Sequence, residues 1–223
     1  MLKKIETYEI DNNMKINYKK TKLMLFNPGT ARDFLPKFTV ENKVIESVDE
    51  TTLLGVVIRS DLSWSPNTNY ITKRANKKLW CLKRLKRLGA NREDLLDVYH
   101  KQIRSLLELS APVWHCSLIG EDRLKIERVQ KSAFSIILGE QYNSYNTALK
   151  LLHMETLFTR RNKLCEKFAW KSQKHEKFSK WFKPKMKNTA TRENPTKFCK
   201  VVSRTERLRK TPISSFINFL NKQ

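Results

Sequence analysis

The sequence predicts an α+β fold in which a small, incomplete β-sheet is followed by an α-helical bundle and a basic tail. The first part of the chain contains short apolar runs separated by turn residues, which is typical of strands. From Pro66 onward, apolar residues recur at spacings of three and four, which is typical of helices. Beyond Trp170 the apolar content drops, and residues 171–187 form a basic and aromatic run. We therefore expect three regions, residues 1–64, 65–170 and 171–223, of which the last is largely flexible.

The stretch from Thr51 to Trp64 is where strands give way to helices. Leu53 to Ile58 is an apolar run interrupted only by Gly55, which predicts a strand buried on both faces. A glycine inside such a strand indicates a bulge or the close approach of another backbone. Ser65 and Pro66 then begin a helix, as its N-cap and its first helical residue.

The residues before this stretch predict one helix and few strands. Leu2 to Met14 has the apolar spacing of a helix, and Leu23 to Phe26 is predicted to be a buried strand. A short hairpin is expected around Glu41 to Lys43. Because a sheet of this size leaves its edges unpaired, we expect it to need further strands from elsewhere.

The helix predicted from Pro66 to Leu88 has two different faces. Its apolar side carries Ile71, Ala75, Leu79, Leu82 and Leu85. At 100° per residue, the opposite side carries Trp80 together with Lys73, Lys77, Arg84 and Arg87. Cations around an outward indole suit a phosphate backbone and a stacked base. The alternative is that the C-terminal tail covers Trp80 and that the cations form an ordinary solvated face.

Four further helices complete the predicted bundle. One begins after Asn91 and buries Leu95, Tyr99, Ile103, Leu106 and Leu107, and another begins at Ser144. Between them, a helix from Glu121 to Leu138 ends at Gly139. In it we expect Leu124, Val129, Ala133 and Ile137 inside, with Lys125, Arg128 and Lys131 outside. The last begins at Glu155, and beyond it only Ile213 to Leu220 is expected to dock on the bundle.

The charge of the chain predicts a polyanionic partner. The 223 residues contain 45 Lys plus Arg against 22 Asp plus Glu, a formal net charge of +23. Such an excess repels itself unless a polyanion is nearby, and RNA or DNA is the first candidate. We expect no membrane-spanning segment, no secretion and an intracellular location in the cytoplasm or the nucleus. The four cysteines are widely spaced without a CxxC pair, which disfavours a disulfide framework or a metal site.

The sequence lacks the common catalytic motifs, so we predict no catalytic residue in this chain. The sequence contains no aromatic-x-Asp-Asp strand, no glycine-rich phosphate-binding loop and no HExxH. His100, His115, His153 and His175 have no acid or nucleophile at a matching spacing. We expect these histidines to be satisfied or solvent-facing.

Seven short motifs between Ile16 and Arg161 occur in an order that resembles a known family. They are Ile16-Asn17-x-x-Lys20-Thr21, Leu54-Gly55-Val56, Leu62-Ser63-Trp64, Leu95-x-x-x-Tyr99, Pro112-Val113-Trp114, Val129-Gln130-Lys131-x-Ala133 and Leu157-x-x-Arg160-Arg161. Their order and spacing resemble the C-terminal part of the reverse transcriptase, an RNA-directed DNA polymerase, of a non-LTR retrotransposon of the jockey-like kind.

The resemblance implies a layout for this chain. Residues up to about Ile58 would be the remnant of the palm, with Lys20 near the incoming nucleotide and Gly55 in the primer-grip region, and the helices would form the thumb. The candidate nucleic-acid-binding residues are then Lys20, Lys22, Gly55, Lys73, Lys77, Trp80, Arg84, Arg87, Arg128, Lys131, Arg160 and Arg161.

The resemblance also implies that the chain alone does not polymerise. The family's metal-binding carboxylates would lie upstream of Met1, and two-metal phosphoryl transfer needs them. We therefore expect a truncated fragment without a cofactor, since Mg²⁺ would belong to the full-length parent enzyme. Its partners would be RNA or DNA, bound with tolerance of sequence, and the missing N-terminal polymerase portion.

Two other interpretations compete with this one. Residues 64–114 also resemble a domain named after the N-terminal part of an AlkB-homologue tRNA methyltransferase, which would imply methyltransferase or dioxygenase activity. The five isolated glycines do not form the cofactor-binding turn that a methyltransferase needs. The third interpretation is a domesticated helical interaction protein, which leaves the positive charge unexplained.

Overall fold

The computed structural model describes residues 2–17, 19–26, 39–40, 43–185 and 198–222. The chain has an α+β fold and divides into two units. The units are Met1–Pro66 and Asn67–Gln223. The predicted fold class is therefore confirmed. Of the helices in these ranges, none combines the length and the apolar character needed to cross a membrane.

The first unit contains helix α1 (Leu2–Asp11) and, within the described ranges, six short strands. The strands are β1 (Lys22–Leu23), β2 (Thr39–Val40), β3 (Lys43–Val44), β4 (Glu46–Ser47), β5 (Glu50–Leu53) and β6 (Val56–Arg59). They pair as three two-stranded sheets, β1 with β4 in parallel and the other two as antiparallel hairpins. The predicted hairpin is β2–β3, and its turn residues Glu41 and Asn42 lie outside the described residues. The predicted strand from Leu23 to Phe26 is wrong, because pairing ends at Leu23 and Leu25 and Phe26 are exposed.

The predicted continuous strand from Leu53 to Ile58 is also wrong, because the chain reverses direction at its centre. Leu53 pairs with Val56, so that Leu54 and Gly55 form a two-residue turn between β5 and β6. Both turn residues have positive φ, 49° and 80°, as the hairpin turns that match strand twist require. Leu54 is 90% exposed, whereas Val56 is buried. The glycine therefore serves the turn and marks no bulge in a buried strand.

The second unit is helical in its described part. Its elements are α2 (Ser65–Arg87, whose first two residues belong to the first unit), α3 (Arg92–Val98), a π-helical segment (Tyr99–Arg104), α4 (Ser105–Glu108), α5 (Ala111–Trp114), a 3₁₀ turn (His115–Ser117), α6 (Gly120–Leu138), a second 3₁₀ turn (Gly139–Gln141), α7 (Tyr145–Leu151), α8 (Leu157–Lys174), α9 (Glu176–Ser179), α10 (Glu206–Arg209) and α11 (Pro212–Leu220). The predicted cap of α3 is confirmed, since Asn91 Oδ1 accepts from Asp94 N at 2.8 Å. Ser144 caps α7 in the same way, and Gly139 ends α6 with a φ of 60°.

The core of the second unit follows the predicted stripes in part, since Leu79, Leu85 and Leu106 are half-buried and Leu124 is exposed. Leu95, Tyr99 and Ile103 are fully buried, and Trp114 is among the largest side chains without solvent contact. On α6, Leu124 is 55% exposed, so its predicted inward position is wrong. At 100° per residue it lies about 140° around the helix from Val129, a buried residue.

A second hydrophobic cluster joins α8 to the C-terminal part of the chain. Its buried members are Cys165, Ala169, Phe182, Phe198, Phe216, Ile217 and Leu220. The predicted docking of Ile213 to Leu220 is thus confirmed, as α11 packs on α8. Helix α8 also continues to Lys174, beyond the predicted end of the bundle at Trp170. Phe182 and Phe198 bury their rings in this cluster, so the tail contributes to the core, and the flexibility expected of the rest of it stays a prediction.

Candidate nucleic-acid interface

Helix α2 is a strongly basic helix of the second unit. Its 23 residues include no Asp or Glu, and its eight cations are Lys73, Arg74, Lys77, Lys78, Lys83, Arg84, Lys86 and Arg87. Ile71, Ala75 and Leu82 are buried, which turns the opposite side of the helix to solvent. We call the exposed stripe of Lys73, Lys77, Trp80, Arg84 and Arg87 the basic face. It extends for about 21 Å along the helix axis, which is about six phosphates of one strand of B-form DNA.

Trp80 is the centre of the basic face. Its side chain is 64% exposed, and the Arg84 guanidinium lies 5.5 Å from the centroid of its ring. The guanidinium is attracted to the electron-rich face of the indole, so a positive charge lies beside the ring. Trp80 and Arg84 line an open depression of about 540 Å³ together with Lys83, Arg87 and Leu88. The depression offers a flat aromatic surface with three cations around it.

The charges of the basic face are not neutralised from within the described part of the protein. No ion pair joins a cation of α2 to a carboxylate of the described residues. Lys86 is the cation that turns toward the protein, since its Nζ donates to the Ile137 carbonyl at 3.1 Å. The other cations therefore keep their charge available to an external anion.

A second depression, which sequence reasoning missed, lies between α2 and the segment after Tyr99. It has a volume of about 410 Å³ and is lined by Arg74, Lys77, Lys78, Lys101, Gln102, Ser105 and Leu106. Lys101 pairs with Asp97 at 2.6 Å, on the same helix. Lys77 belongs both to this depression and to the basic face. The composition of α2 pointed to the cations, but only the fold brings Lys101 and Gln102 beside them.

Two further predicted residues, Arg128 and Lys131, lie on α6 and are exposed. Lys131 Nζ lies 5.0 Å from the centroid of the Tyr145 ring. They form a separate basic pair on a different helix from the basic face. Their positions are accessible to a phosphate, but no aromatic surface comparable to Trp80 adjoins Arg128 among the described contacts.

Arg160, another predicted residue, is engaged by a carboxylate. Its Nε and Nη2 donate to the two oxygens of Glu108 at 2.6 and 3.2 Å. These hydrogen bonds raise the pKa of Arg160 above its ordinary value. Arg104 lies 3.9 Å from the same carboxylate. Glu108 thus links the π-helical segment to α8, and the role of Arg160 in this fold is to hold that link.

The prediction that Arg161 binds nucleic acid is wrong in this fold, because its side chain is fully buried. Its Nε donates to Nδ1 of His115 at 3.1 Å, and its guanidinium lies 5.8 Å from the centroid of the Trp114 ring. Burial lowers the pKa of Arg161 to about 10. Arg160 and Arg161 are consecutive on α8, so they point about 100° apart and only the first reaches the surface.

The remaining predicted residues, Lys20, Lys22 and Gly55, belong to the first unit. Lys20 is exposed, and Lys22 pairs with Glu46 on the neighbouring strand of the β1–β4 sheet. Gly55 occupies the β5–β6 turn. Lys22 therefore has a partner within its own sheet, which leaves Lys20 as the free cation of this group in the described ranges.

Across the parts of the chain that the structure describes, no group of three or more His, Cys, Asp or Glu side chains could hold a metal ion. Comparisons with protein-family models, with curated proteins and with solved structures found no significant match.

Proposed function

We propose that this protein binds nucleic acid through the basic face of α2, electrostatically and with tolerance of sequence. The observation that supports this most directly is the exposed Trp80 in the middle of cations that have no carboxylate partner among the described residues. Lys and Arg neutralise phosphates and so position a nucleic acid without reading its sequence. An indole stacks on any base, which adds affinity without selectivity.

We further propose that the chain derives from a non-LTR retrotransposon reverse transcriptase of the jockey-like kind. The support is the order of the seven motifs between Ile16 and Arg161. The 223 residues contain no aromatic-x-Asp-Asp strand to hold Mg²⁺ for phosphoryl transfer, so this chain by itself would bind nucleic acid without extending a primer. Incubation with primed RNA, dNTPs and Mg²⁺ or Mn²⁺ tests this, and templated extension that survives repurification would contradict it.

The binding proposal is tested by the salt dependence of affinity for a fluorescent oligonucleotide. Each phosphate neutralised releases counterions, so the logarithm of the association constant should fall linearly with the logarithm of salt concentration. The test variant replaces Lys73, Lys77, Arg84 and Arg87 by Gln. If all four contact phosphate, the slope should become shallower by about 2.8 on a single strand and about 3.6 on a duplex.

The matched control replaces four exposed lysines elsewhere in the second unit, Lys150, Lys167, Lys171 and Lys174, by Gln. Both variants lose the same formal charge, but only the first changes the basic face. We expect the control to keep most of the wild-type slope and a base-scrambled oligonucleotide to bind equally well. Equal flattening of the salt slope in both variants would show that only the total charge matters. Flattening confined to the control would place binding on α7 and α8.

A further inference from the structure

We infer that the preferred ligand of this site is a single strand that occupies both depressions of α2, with an unpaired base on Trp80 and its backbone crossing the helix toward Lys101. This inference rests on the proposed function and adds to it the class of nucleic acid and its path. The two depressions differ in chemistry in a way that a single strand matches. One contains an aromatic surface, and the other contains cations and the neutral polar side chains of Gln102 and Ser105.

The Trp80 depression is suited to an unpaired base. The indole is 64% exposed, and Arg84 already lies against one part of it at 5.5 Å. Stacking on a protein aromatic requires a base whose face is free, and inside a duplex each face is covered by the neighbouring base pair. Lys83, Arg87 and Arg84 around the ring can meet the phosphates on either side of that base.

The second depression accepts phosphates but no stacked base. Arg74, Lys78 and Lys101 supply three charges, and none of its lining side chains is aromatic. Lys101 pairs with Asp97 at 2.6 Å, and because both side chains are largely exposed, a phosphate can compete with that carboxylate for the ammonium. A phosphate there would meet cations from two different helices.

The path between the depressions crosses the helix rather than following it. At 100° per residue, Lys78 lies about 160° around α2 from Trp80, while Lys77 lies only about 60° from it. Lys77 lines the second depression and belongs to the basic face, so it marks where the nucleic-acid backbone would cross α2. A flexible single strand can change direction over such a short distance, whereas a stiff duplex continues in a straight line.

The inference predicts different effects of Trp80 variants on two ligands. The test would compare a dT12 oligonucleotide with a hairpin duplex of 12 base pairs at the same salt concentration, using wild type, Trp80→Ala and Trp80→Phe. Wild type should bind dT12 more tightly than the duplex. Trp80→Ala should weaken dT12 binding by about 5- to 150-fold, the usual worth of one stacked base, and change duplex binding by less than about 3-fold. Trp80→Phe should restore most of the dT12 affinity, because a ring remains.

The path is tested by removing cations that belong only to the second depression. Lys78→Gln combined with Lys101→Gln should flatten the dT12 salt slope by about 1.4, two contacts at about 0.7 each for a single strand. The control, Lys150→Gln combined with Lys167→Gln, removes equal charge from other helices and should leave the slope close to that of wild type. Because all these side chains are exposed, far-UV circular dichroism should show unchanged folding.

The outcomes separate this inference from the proposed function. If Trp80→Ala weakens dT12 and duplex equally, or if wild type prefers the duplex, the single-strand assignment is overturned while the salt slope still supports the basic face. If the Lys78 and Lys101 variant matches wild type, the crossing path is overturned. If replacing the four cations of the basic face changes nothing, the proposed function itself fails.

Discussion

Acidification should destabilise the helical unit, because His115 is buried in a form that cannot accept a proton without losing a hydrogen bond. Arg161 Nε donates to Nδ1 of His115, so the ring is neutral and its Nε2 donates to Asn162 Oδ1 at 3.1 Å. Protonation would place an N–H opposite the arginine N–H. Burial first, and then the charge of Arg161, lower the pKa of His115 from 6.5 to about 3.

The sign and size of the effect follow from proton linkage. Between pH 6.5 and pH 3 the unfolded chain binds the proton and the folded protein does not, so the free energy of unfolding falls as the pH falls through this window. At pH 5 the two pKa values give a loss of about 2 kcal/mol relative to pH 8, and the loss over the whole window approaches about 5 kcal/mol. Above pH 7 the contribution is constant.

The assay is urea unfolding at pH 8, 6 and 5, followed by tryptophan fluorescence. The fully buried Trp114 has its ring 6.3 Å from that of His115 and reports on this region. The control is His115→Asn, which keeps an acceptor for Arg161 but does not titrate. Burial also lowers the pKa of His100, and that contribution is present in both proteins and cancels. If both proteins lose the same free energy between pH 8 and pH 5, the reasoning is refuted.

Two further predictions concern stability. Gln130→Leu should lower the free energy of unfolding by about 1 to 3 kcal/mol. The Gln130 amide accepts a hydrogen bond from the buried Tyr99 hydroxyl at 2.6 Å and donates one to the Tyr145 hydroxyl at 2.9 Å, and leucine can make neither. Urea unfolding measures the change, and a loss below about 0.5 kcal/mol would contradict the prediction. Leu54→Asn should stabilise the β5–β6 hairpin by about 0.5 to 1 kcal/mol, because asparagine tolerates the positive φ of this exposed turn better than leucine does. Slower hydrogen exchange of the β5 and β6 amides would support it, and faster exchange would exclude it.

The helices could be predicted because their signals are local. The alternation of apolar and basic residues from Pro66 to Leu88 and the caps at Asn91 and Ser144 depend on neighbours within a few turns. The hairpin at Leu54 could not be predicted, because its turn lacks the usual Asn-Gly or Asp-Gly pair and lies within an apolar run interrupted only by Gly55. Only the pairing of β5 with β6, in which Leu53 lies opposite Val56, reveals the reversal.

Some residues of the candidate site could likewise be predicted from local sequence, and others could not. The stripe around Trp80 follows from helical geometry alone, and the structure places it on the surface. Arg161 shows the limit of such reasoning, since the resemblance implied a nucleic-acid-binding residue there and packing against Trp114 and His115 buries it. The second depression depends on Lys101, which lies on another helix, and no spacing within α2 could indicate that neighbour.

Repulsion between like charges destabilises α2, and a helix with a purely structural role would not need these charges. Lys73 and Lys77, Arg74 and Lys78, and Lys83 and Arg87 are pairs of like charge one turn apart, and each such pair destabilises a helix by a few tenths of a kcal/mol. Elsewhere in this unit some cations have carboxylate partners, as when Glu108 binds Arg160. A phosphate backbone on the basic face would turn this repulsion into attraction, so the arrangement that weakens the free helix is the one that strengthens its complex with a polyanion.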